Sequence, residues 1–126
     1  MNKIINSRLL LALMLAAIIS VSGNSLLFSG LKVYPKLITP GTPTTNENVF
    51  FDFDDFNEPK PELRIFDLTG RLIRSIQVLN PEAISSGWRL VWDGKDGNGN
   101  IVFPGVYIYQ WREGFAVTSG AIVVAR

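Results

Sequence analysis

The stretch Gly87-Trp88-Arg89-Leu90-Val91-Trp92-Asp93-Gly94-Lys95-Asp96-Gly97-Asn98-Gly99 decides the fold. Trp88, Leu90 and Trp92 alternate with Arg89 and Val91, and side chains two apart share one face of a β-strand. A strand with one apolar face therefore ends at Trp92. Asp93-Gly94 then opens a turn, because an Asp carboxylate bonds the backbone two residues on and Gly accepts left-handed geometry. Asn98-Gly99 is the strongest short hairpin signal in the chain.

The same alternation recurs on both sides of this stretch. Val49, Phe51 and Phe53 alternate with Asp52 and Asp54, and Leu63 and Ile65 alternate with Glu62 and Arg64. Phe66-Asp67-Leu68 breaks that phase, as a bulge or an approaching turn does. Thr69-Gly70 and Glu113-Gly114-Phe115 read as tight connections between strands. Strands are expected near Lys32–Ile38, Asn48–Phe56, Glu62–Asp67, Arg71–Val78, Gly87–Trp92, Val106–Arg112 and Val117–Ala125. Between them lie a Pro- and Thr-rich loop from Thr39 to Asn48 and a second loop from Asn80 to Ser86, where Pro81 is placed to open one helical turn. No segment after residue 24 sustains helical spacing, so the fold class is all-β, an antiparallel sandwich of about seven strands.

The N-terminus follows a different rule. Lys3 and Arg8 precede the apolar run Leu9–Ile19, and Val21-Ser22-Gly23 supplies small residues at its end. This is the pattern of a secretory signal peptide, and the run is about half of the roughly 20 residues a membrane span needs. Cleavage after Gly23 leaves residues 24–126 as one domain. The only membrane contact expected is through the transient leader.

Composition narrows the function. The 126 residues carry twelve basic and eleven acidic side chains, which become ten and eleven once Lys3 and Arg8 are removed. No excess positive field exists to hold nucleic acid. The absence of Cys excludes disulfides and thiolate chemistry, and the absence of His excludes the commonest general base and metal ligand. Not an enzyme is the expectation.

In order along the chain, Arg64-Ile65-Phe66-Asp67-Leu68-Thr69-Gly70-Arg71-Leu72-Ile73-Arg74, then Trp92 to Gly99, then Pro104-Gly105-Val106-Tyr107-Ile108-Tyr109 form a distinctive series. It resembles the FlgD/Vpr-type immunoglobulin-like domain found in C-terminal modules of bacterial secreted proteins, in type IX secretion sorting domains and in flagellar hook-capping proteins. The resemblance covers about residues 31–126. It implies an immunoglobulin-like sandwich that serves as an exported structural or protein-interaction module of the bacterial envelope, surface or exterior, with a type IX-like sorting or assembly domain as the narrower form.

Two binding alternatives stand beside that reading. Tyr107, Tyr109 and Trp111 share one strand face; turned outward they form an aromatic contact surface for a glycan or a protein, turned inward they are core. Asp93, Asp96, Asn98 and Asn100 put four oxygen-bearing side chains in one turn, a start toward the six to eight oxygens of a Ca²⁺ site. Ile101 and Tyr107 stand where the EF-hand pattern requires Gly and Glu, which favours a plain hairpin turn with no cofactor. Asp52, Asp54, Asp55 and Glu58 read as a solvated strand face rather than a metal site. The terminal run Ala121–Ala125 is apolar and uncharged, suited to pair within the chain or to dock on a partner.

Overall fold

The computed structural model describes residues 30–43, 46–57 and 59–126. The leader expected over residues 1–23 lies outside them. Nine strands run in chain order: β1 (Lys32–Tyr34), β2 (Leu37–Ile38), β3 (Val49–Phe53), β4 (Glu62–Asp67), β5 (Leu72–Gln77), β6 (Glu82–Ile84), β7 (Gly87–Trp92), β8 (Gly105–Glu113) and β9 (Ala116–Val124). They form a four-stranded sheet of order β1-β3-β7-β6 and a five-stranded sheet of order β2-β9-β8-β4-β5. All pairings are antiparallel except β2 with β9. The molecule is a β-sandwich, as the alternation predicts.

Two expectations are corrected. The run Lys32–Ile38 is not one strand, because Pro35, joined to Tyr34 by a cis bond, has no N–H for a ladder. The chain changes sheets there, so β1 pairs with β3 while β2 pairs with β9. The Asn80–Ser86 segment holds no helical turn; Glu82–Ile84 forms β6 against β7, with Ala83 opposite Trp88. The phase break after Ile65 is a register shift in the β4–β5 ladder, where Phe66 pairs with Leu72.

Alternation sets the core. Val49, Phe51, Leu63, Ile65, Trp92, Trp111 and Ile122 are fully buried between the sheets, with Trp88 and Leu90 packed at the margin. Among the described residues no buried side-chain polar atom lacks a partner. The Trp92 ring stays dry while its indole N–H donates to the Lys95 carbonyl at 2.9 Å, which fixes the chain as it leaves β7.

Two turns at one end share a construction. In Asp67-Leu68-Thr69-Gly70-Arg71 the Asp67 carboxylate accepts the N–H of Thr69 and of Arg71, while Gly70 N–H donates to Asp67 O. In Asp96-Gly97-Asn98-Gly99-Asn100 the Asp96 carboxylate accepts the N–H of Asn98 and of Asn100, while Gly99 N–H donates to Asp96 O. Gly70 and Gly99 take φ of 87° and 84°, the left-handed position that follows a four-residue turn in a bulged hairpin. Asn98-Gly99 thus marks the hairpin, with Gly97 and Asn98 at the centre of the turn.

Trp92→Ala is expected to destabilise the domain by about 3–5 kcal/mol in denaturant titration, whereas Phe103→Ala should stay within about 0.5. Phe103 is 80% exposed. Equal effects would contradict the core assignment.

Candidate interaction surface

β8 separates two chemistries. Tyr107, Tyr109 and Trp111 point between the sheets, and Val106, Ile108, Gln110 and Arg112 point outward. The three rings are core: Trp111 lies 6.0 Å from Phe51 in a stacked pair and 5.0 Å from Phe53, Tyr109 meets Phe51 edge-on at 5.4 Å, and Tyr107 meets Trp92 at 6.0 Å. Two of the polar ends are satisfied locally, Tyr107 Oη donating to Phe103 O at 2.6 Å and Trp111 Nε1 to Glu113 Oε1 at 2.7 Å. Burial pushes the Tyr109 phenol above its ordinary value. A Cβ on Gly120, opposite Tyr109, would lie 2.4 Å from its ring, so the glycine admits the tyrosine. The aromatic contact surface expected at Tyr107, Tyr109 and Trp111 is therefore corrected: burial in the core removes these rings from any partner.

The Asp93–Asn100 segment turns one carboxylate oxygen of each aspartate onto its own backbone. Asp93 Oδ1 accepts Lys95 N–H at 3.1 Å, and Asp96 Oδ1 accepts two amides. Arg74 Nη1 reaches Asp93 Oδ1, Lys95 O and Asp96 O at 3.5, 3.2 and 3.4 Å. A guanidinium thus already sits among the oxygens that a calcium loop would present. Asn98 and Asn100 are exposed at the tip. Among the described residues no group of three or more His, Cys, Asp or Glu is placed to hold a metal ion.

The second acidic cluster is also divided. Asp54 and Asp55 are exposed, Glu58 lies outside the described residues, and Asp52 is buried. On the outer face of the four-stranded sheet Arg89 forks onto Asp52, Nε to Oδ1 at 2.7 Å and Nη2 to Oδ2 at 3.0 Å, while the Tyr34 hydroxyl donates to Asp52 and accepts from Arg89 at 2.6 Å. The guanidinium also lies 4.6 Å from the Phe50 ring centre. The Arg89 hydrogen bonds hold the Asp52 carboxyl below the usual range, aided by Tyr34 against the opposing effect of burial. The solvated-face reading of Asp52 is corrected; Asp52 and Arg89 are directly opposite in the β3–β7 ladder, a pairing that depends on register.

The surface that sequence reasoning missed is the outer face of the five-stranded sheet. One row crosses four strands in register, Leu72 opposite Phe66, Phe66 opposite Ile108 and Ile108 opposite Ala121. A second joins Val106 to Val123 and Val123 to Leu37. Leu72 and Leu37 are about half exposed, yet Ile108 is only 2% exposed although it lies outside the inter-sheet core. Its neighbours on the open face bury it. The other half of this face is polar, with Arg64, Gln110 and Ser119 in one row and Glu62, Arg112 and Val117 in the next. The signal was available in the even-numbered residues of β8, once β4 and β9 are placed on either side.

A hollow of about 210 Å³ lined by Lys60, Pro61, Glu62, Gln77, Val78 and Leu79 falls below the roughly 300–1,000 Å³ of small-molecule pockets. Among the described residues no helix is long and apolar enough to cross a membrane.

No family model and no curated protein matches this sequence. Among solved structures the chain is similar to part of PorZ, an essential bacterial surface component of the type-IX secretion system of Porphyromonas gingivalis, with TM-score 0.52 and 23% identity over 78% of this chain and 12% of PorZ. It is also similar to part of latent dimeric PorU from the same organism, with TM-score 0.49 and 20% identity over 76% of this chain and 9% of PorU. The chain spans only a small fraction of either protein, and the likeness to the PorZ segment is one of fold: a small β-sandwich domain.

Asp52→Asn tests the outer-face network. A carboxylate whose folded pKa is depressed adds stability above its unfolded value near about pH 4, and loses it as pH falls through the folded value. The variant is expected to lose about 1–3 kcal/mol at pH 7 and to approach the parent as pH falls below the ordinary carboxylate range. A pH-independent difference would contradict the ion pair.

Proposed function

We propose that this chain is an exported, non-catalytic protein-interaction module of the bacterial envelope or cell surface, of the FlgD/Vpr immunoglobulin-like type and associated with type IX-like secretion or assembly. The observation that carries the proposal is the apolar half of the outer sheet face, Leu72–Phe66–Ile108–Ala121 with Val106, Val123 and Leu37. Such a contiguous apolar patch with a polar border is the usual mark of a contact surface on a small domain. Support for the location comes from the leader pattern of Met1–Gly23 and from the fold shared with a segment of the surface component PorZ. The site chemistry also supports a non-catalytic role: the titratable groups described above hold turns or pair with one another, and none converges on a cleft with another.

A carbohydrate-binding role loses its three aromatic residues to the core, and a calcium-binding role loses Oδ1 of Asp93 and of Asp96 to backbone amides, with the Arg74 guanidinium beside them. The protein-interaction reading is therefore retained.

Production of the chain in the bacterium that encodes it, followed by fractionation and intact-mass measurement, tests the proposal. The expected product starts at Asn24, retains Arg126 and sediments with the envelope, while Phe66→Asp folds but moves to the soluble fraction. A chain that starts at Met1 in the cytoplasm, or a Phe66→Asp variant that sediments like its parent, overturns it.

A further inference from the structure

The margin of the five-stranded sheet is half-covered. β2 pairs with β9 only at Val123 and Val124, through Val123 N–H to Lys36 O at 2.7 Å, with Ala125 N–H to Ile38 O at 2.9 Å beyond the strand end. The expectation for Ala121–Ala125 thus resolves toward pairing within the chain: Val123 and Val124 have neighbours on both sides. Backbone groups of successive strand residues point to opposite sides. Since Val123 and Ala125 face β2, the N–H and C=O groups of Val117, Ser119 and Ala121 face the same way, away from β8. Among the described residues no strand pairs with β9 on that side before Val123.

The other margins are blunted in the ways folded proteins use against strand addition. β1 and β6 are three residues each, and β1 stops at Pro35. On β5 the outward Ile73 carbonyl is taken by Gly97 N–H at 3.0 Å. The Ala116–Ala121 stretch of β9 has no proline, no charge and no register shift. It also adjoins the apolar row, which ends at Ala121.

We infer that the Val117–Ala121 edge accepts an extended segment of another protein, with apolar side chains on alternate positions and carboxylates at its ends. This rests on the interaction-module reading and names the surface and partner chemistry within it. Strand addition supplies main-chain hydrogen bonds, and side chains on one face of the added strand extend the apolar row. The carboxylates answer exposed Lys36 at one end of the open stretch and exposed Arg112, opposite Val117, at the other. A second copy is the poorer occupant: a two-fold antiparallel pairing brings Arg112 of each copy to Lys36 of its mate, and like charges repel.

Amide hydrogen exchange on the exported chain tests this, with a synthetic Asp-Thr-Val-Thr-Val-Thr-Asp peptide, whose aspartates and valines share one face, and its lysine-ended counterpart as probes. In the free chain the amides of Val117, Ser119 and Ala121 are expected to exchange at least about tenfold faster than those of Thr118 and Gly120. Millimolar acid-ended peptide should slow those three by about tenfold, the lysine-ended peptide should not, and Arg112→Glu, which leaves Lys36 in place, should remove the preference. Ser119→Pro, which removes an outward N–H without touching the β8 ladder, should abolish the protection. Protection of the three amides in the dilute free chain, protection that rises with protein concentration alone, or none with either peptide overturns the inference. If the edge fails while Phe66→Asp still releases the chain from the envelope, the module reading stands; if Phe66→Asp also has no effect, both fall.

Discussion

The contact between Trp111, Tyr109 and Tyr107 of β8 and Phe51, Phe53 and Trp92 of the facing sheet is what the rest of the structure depends on. Aromatic rings bring large apolar area and favour offset or edge-on geometry, so a few of them seal a small sandwich without disulfides. With the rings committed inward, the pleat has no freedom left. Ile108 and Val106 must face outward, and the register with β4 and β9 aligns them with Phe66, Ala121 and Val123. The open apolar face follows from the way the core is filled.

The polar groups serve that arrangement. The Asp67 and Asp96 carboxylates each close a turn at the end where β4 and β7 exit, and Arg74 joins the two by reaching Asp93 and the carbonyls of Lys95 and Asp96. Asp67 is held below the usual carboxylate range: burial opposes its charge, but hydrogen bonds from Thr69 and Arg71 outweigh that effect. On the opposite sheet, Arg89 and Asp52 lock β3 to β7 and order Tyr34 against Phe50. These groups are structural, and their acidity reflects turns and pairing.

Much of this was legible in the sequence, wherever period-two alternation was unbroken. Trp88-Arg89-Leu90-Val91-Trp92 and Val49–Phe53 announce both strand and inward face, and Asp93-Gly94 and Asn98-Gly99 announce the turns. What was not legible depended on neighbours. The split of Lys32–Ile38 between two sheets needs the ladder that Pro35 interrupts, and β6 is too short to carry a period. Tyr107, Tyr109 and Trp111 were ambiguous because β8 is apolar on both faces; only the facing sheet decides which side is dry. Asp52 reads like Asp54 until register sets Arg89 opposite it.

The domain's inner side is finished and its outer side is not, since the apolar row of Phe66, Ile108 and Ala121 lies on the open sheet face. The central claim, that β8 turns its rings inward and its aliphatic side outward, is tested most directly by hydroxyl-radical footprinting of the folded chain read by mass spectrometry. The account predicts that Tyr109 and Trp111 stay unmodified until the chain unfolds, while Leu72, Leu37 and Phe115 react in the native state. Native-state modification of Tyr109 and Trp111 with protection of Leu72 and Leu37 would contradict it.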